Sequence, residues 1–176
     1  MDSDRRSRRA ATVVRCEAPA AIRALSPIAE PDYLDVFVLT AAGVAGGSAE
    51  QWARAAFEDA AGRTGQAVWR GIVGLRLAGG RAPDRVAGWR IAERGDRWVR
   101  LEARGWMLTA HVVFHAEGER LSVATFIRYD RPIAAALWPP MAERHRRAVP
   151  RVLVSAYRIR HGESGVQLPA CGRAAR

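Results

Sequence analysis

The tightest constraint on this chain lies in residues 85–129, where apolar and polar residues alternate and the alternation changes parity once. Val99, Leu101 and Ala103 are apolar at odd positions, whereas Trp106, Leu108, Ala110, Val112 and Phe114 are apolar at even ones. A period of two means strands with one face on a core. Gly105 marks the change of parity. One inserted residue sends every later side chain to the opposite face, so a bulge or strong bend is expected there. Turn signals at Gly95-Asp96 and Glu117-Gly118 cut the stretch into an antiparallel meander. It has four strands, or five if the bend divides one. A sheet bent in this way curls around something.

Upstream, "YLDVFVLTA" (33–41) reads as a strand from its β-branched and aromatic content. After a glycine loop at 43–47, Ser48 and Gln51 form the signature of a helix N-terminal capping box. Trp52, Ala56 and Phe57 then share the helix face turned to the sheet. A second helical segment spans "GQAVWRGIVGLRL". Downstream, Asp130 is a good N-cap for a helix that carries Ile133, Leu137, Met141, His145, Ala148 and Val152 to about Ile159. Pro139, Pro140 and Pro150 interrupt that pattern, so kinks or a split helix are expected. Residues 1–30 and 161–176 lack a sustained period and read as loosely ordered tails, leaving a single domain over 31–160.

Composition excludes several chemistries. All 28 basic residues are Arg, so no lysine Schiff base and no phosphate-loop lysine can form. The net charge of +10 is spread along the chain and not gathered into one basic run, and no nucleic-acid partner is expected. Cys16 and Cys171 stand alone in the two tails, which gives neither a disulfide framework nor a zinc site. No apolar run approaches the ~18–20 residues of a membrane span, and no secretion signal is legible at the N-terminus. A soluble, cytoplasmic protein is the expectation.

The strings "SAEQWARAAFE", "VGLRL", "GWRIAERGDRWVRLEARGWMLTAHVVF" and "VATFIRYDRP", with Trp138 seven residues before His145, cover about residues 32–158. As a set they resemble the START and polyketide-cyclase-like helix-grip superfamily, and within it a domain-of-unknown-function family of actinobacteria. The resemblance implies an α+β fold in the order β-α-α-β(4-5)-α, with a curved antiparallel sheet wrapped around a kinked C-terminal helix. It also implies an internal cavity for apolar or amphipathic small molecules. Some members of that superfamily are cyclases or aromatases, and others carry or sense a ligand. The meander here has fewer than the six strands of the full form, which implies a small or partly open cavity.

On that geometry the residues expected to line a cavity are Trp89, Trp106, Leu108, His111, Thr125, Arg128, Trp138, Met141 and His145. His145 and His111 are the candidate general bases, which would make the protein a cyclase or hydrolase instead of a binding domain. Trp138 and His145 lie two turns apart on one helix face, a wall and a hydrogen-bonding group. His111 and His115, four residues apart on a strand, are about 13 Å apart, too far to share a metal. No metal and no cofactor are expected. Asp35 and Glu102 are the carboxylates set among apolar residues, and alternation turns both outward. A third expectation, from another class, is a basic protein that docks on anionic surfaces. A lipid-, isoprenoid- or polyketide-like ligand remains the leading one.

Overall fold

The computed structural model describes residues 11–79 and 82–162. Gly105 ends one strand and admits the next. Strands β5 (Trp98–Arg104) and β6 (Leu108–Glu117) pair antiparallel, with Arg104 opposite Thr109 and the Gly105 N–H donating to the Leu108 carbonyl at 2.8 Å. The parity change is therefore a full chain reversal and not a bend within one strand. Val99 faces Phe114 across this ladder and Leu101 faces Val112, so the odd set of β5 and the even set of β6 share one face. A Cβ on Gly105 would lie 2.8 Å from the Gly74 carbonyl oxygen, which explains why glycine stands at this close approach.

Five further strands complete a seven-stranded, curved antiparallel sheet: β1 (Thr12–Cys16), β2 (Tyr33–Thr40), β3 (Arg85–Val86), β4 (Trp89–Arg94) and β7 (Arg120–Tyr129). Their order is β1-β2-β7-β6-β5-β4-β3. The helices are α1 (Ala20–Arg23), α2 (Ala49–Arg54), α3 (Gly62–Ala67) and α4 (Ile133–Arg160). Ser48 caps α2 with the reciprocal Gln51 bond read from the sequence. α2 and α3 each continue into a wider π-type turn, Ala55–Ala60 and Val68–Ile72.

The inner face of the sheet, with Phe37, Leu39, Leu101, Val112, Phe114 and Val123, shares one core with Trp52 and Ala56 and with Trp138, Leu153, Ala156 and Tyr157 of α4. Tyr157 pins the far end of α4 by donating to the Ala42 carbonyl at 3.0 Å and stacking on Trp52. The outer face is apolar too, at Val36, Val38, Val113, Ala124 and Phe126, and Ile22 and Ile28 cover it. Residues 11–30 are therefore built into the sheet and its cover, not a loose tail, because an apolar outer face must be taken out of water. Residues 1–10 and 163–176 lie outside the described residues.

Two expectations about α4 change. It is one helix and not a split one, with Pro139, Pro140 and Pro150 inside it. The carbonyls of Ala135 and Ala136, which lose their partners to the first two prolines, belong to exposed residues and can turn to water. Asp130 does not cap the helix: its carboxylate accepts from Thr109 at 2.6 Å and from Arg128 at 3.0 Å.

Candidate functional site

Strand register decides what α4 meets on the inner face. β2 and β7 place Tyr33 opposite Ile127, Asp35 opposite Thr125 and Phe37 opposite Val123, and this row of side chains points at the helix. Asp35 is thus turned inward, contrary to the outward expectation, and its side chain is 0% exposed. The reason is that β2 is apolar on both faces, so alternation could not say which side carries the carboxylate.

Four groups of the row and the helix converge. The Tyr33 hydroxyl donates to Asp35 Oδ2 at 2.5 Å. His145 Nε2 lies 3.2 Å from Thr125 Oγ1 and 3.4 Å from Asp35 Oδ1. Burial, then the hydrogen bond to Asp35, push the Tyr33 phenol well above its usual range, against the opposing Arg146 guanidinium. Tyr33 therefore stays a neutral donor. Trp138 closes the cluster, edge-on to Tyr33 at a centroid distance of 5.3 Å and tilted against His145 at 6.2 Å.

Two buried polar atoms in this cluster lack a hydrogen bond: Asp35 Oδ1, an acceptor, and Trp138 Nε1, a donor. Native interiors leave few such atoms, because each costs about 1–3 kcal/mol when orphaned. The His145 side chain is 24% exposed, so the cluster reaches solvent through the imidazole. Chemically, it can accept a donor at the carboxylate, donate from the indole, and move a proton through the imidazole.

The nine residues expected around a cavity are divided by the sheet. Thr125, Trp138 and His145 come together here, and Met141, one turn from Trp138, packs on the same core. Leu108 is fully buried in the inner core, and Trp89 packs against Phe57 and Trp69 well apart from this cluster. Trp106 sits outside, 44% exposed, on the β5–β6 turn over Gly74.

His111 and Arg128 lie on the outer face, because β6 turns its even positions inward and β7 its odd ones. There Arg128 pairs with Asp130. His111 Nδ1 is 2.9 Å from Ser26 Oγ and its Nε2 is 3.6 Å from Glu102. Burial pushes the His111 pKa down to about 4, with nearby arginines adding to the shift against the pull of Glu102. This neutral imidazole holds the N-terminal segment on the sheet and takes no part in the inner cluster.

Tyr33 carries no signal in the sequence beyond its place two residues before Asp35. A groove of about 350 Å³ opens elsewhere, between the Ala45–Ala49 loop, Asp96-Arg97 and Ala116–Gly118, and none of the nine expected residues lines it. Comparison of the chain with protein-family models, with curated proteins and with solved structures finds no match. Among the described residues no group of three or more His, Cys, Asp or Glu side chains could hold a metal ion, and no helix is long and apolar enough to cross a membrane.

Proposed function

We propose that the chain is a cytoplasmic helix-grip domain that binds an apolar or amphipathic small molecule at the seam between α4 and the inner face of the sheet. One observation carries the reading: Asp35 is fully buried with a carboxylate oxygen, Oδ1, that accepts no hydrogen bond and has only the His145 imidazole approaching it, at 3.4 Å. A site needed only for packing would be more stable with an aliphatic residue there. A ligand head that donates to Asp35 Oδ1 and accepts from the Trp138 indole removes both orphaned atoms at once. A hydroxyl, a neutral carboxylic acid or an amide has that pairing of donor and acceptor. The apolar body of the ligand then lies along Met141, which packs against the inner core.

Native mass spectrometry of the freshly purified chain tests this. A small-molecule adduct is expected on the wild type and is expected to vanish from Asp35→Asn. An adduct retained by Asp35→Asn and by Trp138→Phe removes the seam as its site.

The second reading is acid–base catalysis, and the His145–Asp35 approach of 3.4 Å favours it. A carboxylate beside an imidazole stabilises the imidazolium formed when the base takes a proton. Under this reading the adduct is a substrate, its turnover ceases in His145→Ala, and His111→Gln leaves turnover intact.

A further inference from the structure

The outward side of α4 is not used by the seam. Ile133, Leu137, Pro140, Arg144, Arg147, Arg151 and Arg158 are all exposed. At 100° per residue they fall within an arc of about 80° along some 37 Å of helix. The helix holds six arginines against one acid, Glu143. Glu143 pairs with Arg146 and Arg147. The side chains of Arg144, Arg151 and Arg158 have no hydrogen-bond or ion-pair partner among the described residues.

The stripe is divided along its length. Its first part is apolar, with Ile133 45% and Leu137 41% exposed, and its second part is basic. The turn that carries the exposed Trp106 is tied to the start of the helix, since the Met107 carbonyl accepts from the N–H groups of Asp130 and Arg131. Three large apolar side chains therefore stand in water at the end where α4 begins.

We infer that this face docks on an anionic phospholipid bilayer. Arginines without internal partners meet lipid phosphates, and Ile133, Leu137 and Trp106 enter the boundary between headgroups and acyl chains. Nucleic acid matches only the basic half of the stripe: it supplies phosphates but nothing apolar for exposed aliphatic side chains. The inference does not depend on the ligand reading of the seam, since the two use opposite sides of α4.

Co-sedimentation of the full chain with phosphatidylcholine vesicles, with and without 30% phosphatidylglycerol, tests it. Binding is expected to the anionic vesicles only, and to weaken as salt rises. Each arginine is worth about fivefold near such a surface, so Arg144→Gln/Arg151→Gln/Arg158→Gln is expected to lose about 100-fold. Ile133→Ser/Leu137→Ser is expected to weaken binding and leave its salt dependence unchanged. These side chains are exposed, and a thermal melt matching the wild type shows each variant folded. No binding of the wild type to anionic vesicles overturns the inference, as does undiminished binding by the folded triple variant. Arginine-dependent binding to duplex DNA in place of vesicles overturns it as well.

Discussion

At the scale of single residues, two ionisable side chains on opposite faces of one sheet do different work. Asp35 is buried on the inner face with one oxygen unsatisfied, and its tie to Tyr33 survives replacement by the isosteric amide. Asp35→Asn is therefore expected to leave thermal stability unchanged or slightly raised, because it removes a buried charge. The same change should weaken ligand binding about 10–100-fold, the worth of a charged hydrogen bond. Calorimetry on one preparation reads both, and a large stability loss would make Asp35 a structural residue. His111 titrates in the opposite setting, with a pKa held near 4. Its unfolded form takes up a proton first as pH falls through about 6.5, so the unfolded state binds more protons between there and about 4. Stability is thus fully present above about pH 6.5 and falls below it by at most ~1.4 kcal/mol per pH unit, the slope of one proton. Urea melts of His111→Gln across this range should show a flatter slope than the wild type, and an unchanged slope would assign the loss to other groups.

At the scale of elements, α4 and the N-terminal segment depart furthest from their sequence readings. The carbonyl of Arg146 loses its helical partner because Pro150 has no N–H, yet the helix continues on both sides. Tertiary packing of Trp138, Ala142, Leu153 and Ala156 on the inner core outweighs that loss. Pro150→Ala restores the bond and is expected to stabilise by about 1–3 kcal/mol, seen as a raised midpoint in denaturant. A lowered midpoint would mean that the proline sets a curvature the sheet requires. In the N-terminal segment, Ile22 and Ile28 sit on Val36, Val113 and Phe126. Ile22→Ala should cost about 2–5 kcal/mol, as for a core isoleucine. A loss below about 0.5 kcal/mol, the usual range of surface changes, would show that the segment does not cover the outer face in solution.

At the scale of the whole molecule, the outer cover and the inner helix clamp one sheet between two cores. Removing residues 1–30 bares Val36, Val38 and Val113 and uncovers β2 as an edge strand. The truncated chain is expected to associate or aggregate where the full chain stays dispersed, which light scattering follows. The meander, the Ser48 capping box and the C-terminal helix were legible because local periodicity and cap chemistry encode them. Gly105 was legible as a break but not as a reversal, since a parity flip looks alike whether the strand bends or turns back. Thr125, Trp138 and His145 were named as site residues, yet so were His111 and Arg128. A strand's alternation tells which residues share a face, not which face meets the helix. Asp35 and Tyr33 were missed as partners because β2 is apolar on both sides. The sequence alone determined the α+β alternation of elements, an all-arginine charge and the absence of lysine chemistry, all set by residue type and near-neighbour spacing. Tertiary structure alone decided that a carboxylate from β2, a hydroxyl from β7 and an imidazole from α4 meet in one buried place. That meeting depends on the register between strands far apart in the chain, which no local pattern records.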